Sequence, residues 1–127
     1  KSDLLEVMLA ASVGKLSRYK NLQWEKRASV CVVCASKGYP GEYEKGKEIA
    51  GLEEAGVMKD IFVFHSGTSS LPAKDSSRIV TNGGRVLGVT GSGDTLKEAI
   101  TKTYQAVGKI HFEGMHYRKD IGARAIK

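Results

Sequence analysis

Apolar and polar positions follow two different periods along this chain, and the switches between them outline its elements. Leu4, Leu5, Met8 and Leu9 recur at helical spacing, so the pattern predicts a helix over 2–13. Ser2-Asp3 offers an N-cap, Asp3 and Glu6 suit the positive end of the helix dipole, and Gly14 is a natural stop. Residues 15–27 are polar and basic, interrupted by Leu16, Tyr19, Leu22 and Trp24, and mark the best boundary in the chain. Ala28 to Ala35 is a continuous run of small and β-branched residues, which predicts a strand buried on both faces. Pro40 and the glycines from Gly38 to Gly51 predict loop over 37–48. Ile61 to His65 reads as a second strand and 66–77 as a polar loop. Arg78 to Thr81 and Arg85 to Thr90 flank Asn82-Gly83-Gly84, the pattern of a hairpin. Thr95 and Glu98 form a capping box ahead of a helical stripe, Leu96, Ala99, Ile100, Thr103, Tyr104 and Val107. After Lys109 the chain is short, aromatic and charged. Strands in a run followed by one long helix predict an α+β fold, a mostly antiparallel β-sheet with that helix packed on it. The pattern argues against a Rossmann fold, which needs strands alternating with helices.

Composition narrows the partners. At 127 residues the chain fits one domain. It carries fifteen glycines, against about nine at the average rate of roughly 7%, so turns or close backbone approach must account for the surplus. The net charge of +6 favours anionic partners without choosing among them, and a solvated basic surface is an equal explanation. The basic residues are scattered and no aromatic RNA-binding motif accompanies them, which counts against nucleic acid. No run approaches ~18 apolar residues, so no membrane span is expected. Two cysteines without a secretory signal point to a reduced, cytoplasmic setting.

Most of the short motifs resolve as structure. Cys31 and Cys34 have CxxC spacing, but on a strand they face opposite ways and cannot share a metal, so both read as small core residues. Gly41 to Glu48 nearly spells a phosphate-binding loop, yet Glu48 stands where Ser or Thr must hold magnesium. Gly91-Ser92-Gly93-Asp94 fails the dinucleotide pattern at Leu96 and reads as a flexible turn. The three histidines lack ligand spacing, so no metal site is expected; Ser-His-Asp triads are set in space rather than in sequence, and no GxSxG elbow supports one here. Two segments keep a functional reading beside the structural one. Gly83 and Gly84 can turn backbone N–H groups toward a ligand, and Arg85 adds a planar fork for phosphate or carboxylate; a plain turn with an exposed Arg explains the residues equally well. Ser36 and Lys37 at a strand exit are plausible anion donors, although a Pro-Gly turn with a solvated Lys is the simpler account. Arg118, in a mixed-sign tail, reads first as a salt bridge.

Taken in order, ASKGYPGEYEKG, the HSGT at His65 to Thr68, NGGRVLGVTGSGDTLKEA and FEGMHYRKDIGARA are specific. The chain resembles the C-terminal portion of the phosphoribosylamine–glycine ligases (glycinamide ribonucleotide synthetases) of the ATP-grasp superfamily, over nearly its whole length. The resemblance implies a parent enzyme of purine synthesis that joins 5-phosphoribosylamine to glycine with ATP and magnesium. It implies that the residues for ATP and magnesium lie upstream, that this piece alone is inactive, and that its partners are the upstream part of the same polypeptide, the phosphoribosyl substrate and glycine. Residues 1–27 then correspond to the end of the ATP-grasp region and a linker, and 28–127 to a substrate-closing domain. By the same resemblance Gly83, Gly84 and Arg85 are the foremost substrate contacts, with Lys37 and Arg118 behind them. Val86 stands where related enzymes carry a second basic residue. The alternative is a stand-alone basic module for an anionic partner.

Overall fold

The structure is a computed structural model and describes residues 1–71 and 78–126. The chain forms α1 (Leu4–Ser12), a 3-10 turn (Leu16–Arg18), β1 (Ala28–Ala35), α2 (Leu52–Gly56), β2 (Ile61–His65), β3 (Thr68–Ser70), β4 (Ile79–Thr81), β5 (Arg85–Gly93), α3 (Leu96–Val107) and a second 3-10 turn (Ala123–Ala125). The main sheet has the order β1-β5-β2 with both pairings antiparallel, and β3 and β4 form a separate antiparallel pair. The α+β expectation therefore holds, as do the strands at Ala28–Ala35 and Ile61–His65. Part of the predicted 66–77 loop, residues 72–77, lies outside the described residues.

The expected hairpin is corrected. Ile79–Thr81 pairs with Thr68–Ser70, whereas Arg85–Gly93 pairs with β1 and β2. A tight hairpin of the favoured type needs positive φ at its two central residues. Neither Gly83 nor Gly84 adopts it. The segment 82–84 hands the chain from the small sheet to the large one.

The second correction concerns β1, which is buried on one face only. Val30, Val32 and Cys34 point inward, while Ser29, Cys31 and Val33 are exposed. Helix α3 covers one side of the sheet, and the other side carries exposed Cys31, Val33 and the stacked pair Phe62–Phe64. Cys31 is thus not a core residue. Cys34 is, and burial pushes its thiol up to about 11.

Why α3 settles on this sheet is visible in β5. Its Gly91 and Gly93 leave room for the helix backbone: a Cβ on Gly91 would lie 3.0 Å from the Thr103 nitrogen, and one on Gly93 2.8 Å from that of Ala99. The expected flexible turn at 91–94 is therefore mostly strand, since β5 continues through Gly93. Thr95 caps α3 by accepting from the Glu98 N–H, and Glu98 accepts in return from the Asp94 N–H. Ala99, Thr103, Ala106 and Val107 then meet the sheet, and Val32, Leu87, Val89, Ile110 and Phe112 complete the core. The buried Thr103 hydroxyl donates within α3 to the Ala99 carbonyl at 2.7 Å and lies 3.2 Å from that of Val30 on β1. At the sheet's far end Asp60 receives Arg27 at 2.9 Å and Lys102 at 2.9 Å, which together hold its carboxyl well below the usual carboxylate range.

Candidate anion-binding corner

One end of the main sheet gathers most of the residues singled out above. Strand β1 ends at Ala35 and β5 starts at Arg85, and these two residues are register partners. Ser36 follows at once. Its N–H donates to the Gly84 carbonyl at 2.8 Å and its hydroxyl to the Gly83 carbonyl at 2.9 Å. On the other side, the Asn82 N–H donates to the Gly67 carbonyl at 2.7 Å. Gly67 and Gly83 pack backbone to backbone: a Cβ on Gly67 would lie 2.8 Å from the Gly83 Cα and 2.5 Å from the Arg85 carbonyl oxygen. Gly84 is buried under the ring of Tyr39, which leaves no space for a side chain there.

Three donors remain at this corner. Among the described residues the Gly83 and Gly84 N–H groups have no acceptor. Unpaired backbone donors beside packed groups are rare in folded proteins. The Arg85 side chain is exposed, and no carboxylate among the described residues pairs with it. Two amides and a guanidinium with no partner among the described residues are groups of the kind that bind oxyanions.

Lys37 is brought to the same end. It is exposed, has no ion pair among the described residues, and lines an open cavity of about 540 Å³ that shares Ser36 with the corner. Glu44, Lys47 and Glu113 face the same cavity. Lys47 bridges Glu44 at 2.9 Å and Glu113 at 3.0 Å; these hydrogen bonds raise the ammonium pKa, and the partnership lowers that of Glu44. This cluster joins the 37–48 loop to the tail across 66 residues of sequence, and no linear motif announces it.

Arg118 is not brought there. The tail crosses β1 by a bridge between Ala35 and His116, and from that point it runs antiparallel to β1, away from the corner. The Arg118 guanidinium is held by both oxygens of Asp120, at 2.9 and 2.7 Å, which raises its pKa and lowers that of Asp120. Its carbonyl accepts from the Tyr104 hydroxyl at 2.8 Å. The salt-bridge reading of the tail describes this arrangement. Ser36 also differs from expectation: its hydroxyl, read as an anion donor, is 4% exposed and is committed to the Gly83 carbonyl. Tyr39 is a further member of the corner, and nothing in a Tyr-Pro turn says which glycine its ring will cover.

Known proteins place this architecture. A family model described as phosphoribosylglycinamide synthetase, C domain, matches residues 29–124. The phosphoribosylamine–glycine ligase of Caldanaerobacter subterraneus is 53% identical over 97% of this chain and 28% of its own length. The chloroplastic phosphoribosylamine–glycine ligase of Arabidopsis thaliana is 47% identical over 100% of this chain and 23% of its own. The trifunctional purine biosynthetic protein adenosine-3 of Gallus gallus is 48% identical over 99% and 12%. The crystal structure of phosphoribosylamine–glycine ligase from Thermotoga maritima superimposes with a TM-score of 0.60 at 41% identity, over 72% of this chain and 21% of that one. The chain thus spans under a third of the length of these relatives. The ordered segments, the α+β architecture and the match over 29–124 agree, and the chain belongs to the phosphoribosylglycinamide synthetase C-domain family.

Proposed function

We propose that this chain is the C-terminal domain of a phosphoribosylamine–glycine ligase and closes one wall of its substrate site. The parent reaction forms an amide between the glycine carboxyl and the amine of 5-phosphoribosylamine, driven by ATP with magnesium. The observation that carries the role of this domain is the corner whose two N–H groups and guanidinium have no partner among the described residues. In this reading Gly83, Gly84 and Arg85 hold the phosphate of the sugar substrate, and Lys37 adds a second cation from the same sheet end.

Among the described residues no three or more His, Cys, Asp or Glu come together to hold a metal ion. The domain's own residues bind and orient. Residues 1–27 belong in this reading to the end of the ATP-grasp region and a linker, with residues 28–127 forming the closing domain. No helix among the described residues is long and apolar enough to cross a membrane.

The alternative, a stand-alone basic module for an anionic partner such as nucleic acid or an acidic protein, draws less support. Arg27, Lys47, Lys102 and Arg118 are each engaged by carboxylates, so part of the positive charge is locally neutralised.

The test is Arg85→Ala in the full-length ligase. Loss of one charge-assisted phosphate contact is worth ~1.5–3 kcal/mol, so KM for phosphoribosylamine rises about 10- to 150-fold while KM for glycine holds. An unchanged KM removes Arg85 from the site. A full-length protein without ligase activity removes the reading as a whole.

A further inference from the structure

The corner has no left-handed glycine and no helix terminus to fix it, yet its free Gly84 amide must keep one direction to serve an anion. What fixes that amide lies on the 36–39 turn. The Gly83-Gly84 and Gly84-Arg85 peptides are both trans. In a trans peptide the carbonyl and the following N–H point in opposite directions across one plane. Ser36 binds both carbonyls from one side, Gly83 through its hydroxyl and Gly84 through its N–H. The Gly84 and Arg85 N–H groups are thereby aimed away from Ser36. Neither peptide can flip without leaving a buried hydroxyl or amide unsatisfied.

Tyr39 completes the bracket. Its ring lies against Gly84, and its N–H donates to the Ser36 carbonyl at 3.1 Å, so the ring and the serine are parts of one turn. A second ring, Tyr43, sits 6.5 Å from it centroid to centroid and lines the cavity beside Lys37. The Tyr39 hydroxyl has no hydrogen bond among the described residues, so its contribution is the ring.

We infer that Ser36 and Tyr39 are positioning residues for the anion corner: they set the planes of the 83–85 peptides, and through them the affinity for a sugar phosphate, without touching the ligand. The inference rests on the ligase reading above, and it concerns how that site is held.

The experiment uses the full-length ligase with Ser36→Ala, Tyr39→Ala, Tyr39→Phe and Arg85→Ala side by side. Ribose 5-phosphate serves as a binding probe by calorimetry, with KM and kcat measured separately for phosphoribosylamine and glycine. Melting temperature is recorded for each variant, because Ser36 is buried. Ser36→Ala and Tyr39→Ala should weaken ribose 5-phosphate and raise KM for phosphoribosylamine about 3- to 10-fold, the worth of one lost hydrogen bond or packing contact. KM for glycine and kcat should stay within about twofold, and Tyr39→Phe should match the parent. If both alanine variants melt earlier but bind ribose 5-phosphate as the parent does, the two residues are structural only and the inference falls while the ligase reading stands. Should Arg85→Ala also be silent, the corner is not the phosphate site and both fall. Weakening by Ser36→Ala with a silent Arg85→Ala upholds the bracket and takes Arg85 out of it.

Discussion

Helices α1 and α3 begin in the same way and end in opposite situations. Each has a side-chain N-cap, Asp3 on the Glu6 N–H and Thr95 on the Glu98 N–H, and each carries a glutamate in its first turn. Helix α1 is the more apolar by sequence, yet Leu4, Leu5, Met8 and Leu9 are 61–76% exposed and only Ala10 is buried. Its fastenings run to its own neighbourhood, with Ser2 and Gln23 exchanging hydrogen bonds and the Tyr19 hydroxyl donating to Glu6. Helix α3 is largely polar, yet it buries a full stripe because β5 supplies a glycine-lined seat. Periodicity says which face of a helix wants a partner, and the partner decides what that face contributes. In the reading proposed above, the apolar side of α1 belongs against the upstream region of the ligase.

The widest contrast should come from Leu9→Ala. In the full-length ligase a buried leucine of this kind loses about 2–5 kcal/mol on truncation, whereas in this 127-residue chain the change should stay within about 0.5 kcal/mol. Urea unfolding of both proteins checks it, and equal small effects would mean that α1 stays solvated in the parent too. Next in size is Gly91→Ala, which forces α3 away from β5 and should cost about 1–3 kcal/mol by the same measurement. An unchanged midpoint would show that the helix shifts freely on its seat. Smallest is the matched pair of caps. Thr95→Ala should lower global stability by about 1 kcal/mol, because α3 unfolds with the sheet. Asp3→Ala should fray α1 in hydrogen exchange while leaving the unfolding midpoint in place.

Those elements whose partners are local or regular were legible in the sequence. Both strands of five or more residues outside the hairpin motif were placed to the residue, and α3 was found with its cap, because period and capping chemistry are written in neighbouring positions. Strand β3, Thr68–Ser70, was hidden: three small polar residues have no period to read, and pairing with β4 alone makes them a strand. Helix α2 was hidden for a related reason. It spans five residues and starts from a left-handed Gly51 packed against the Lys109 carbonyl, a contact 58 residues away in sequence. In the candidate site, the glycines and Arg85 stood out by composition, and Lys37 by its place at a strand exit. That the Ser36 hydroxyl faces a carbonyl rather than a ligand follows from where distant segments meet, whereas the Arg118–Asp120 pair lies within the tail and is legible there.

The backbone contact between Gly67 and Gly83, with Tyr39 laid over Gly84, bears on how this corner can change over generations. Mutational drift at 83 or 84 is blocked unless a second segment retreats at the same time, so single-step variation is confined to the flanks. A saturation library over 82–85 screened for folding alone should therefore return diversity at Asn82 and Arg85 and little variation between them. New substrate preferences would have to enter through the flanking side chains, with the backbone they stand on inherited unchanged.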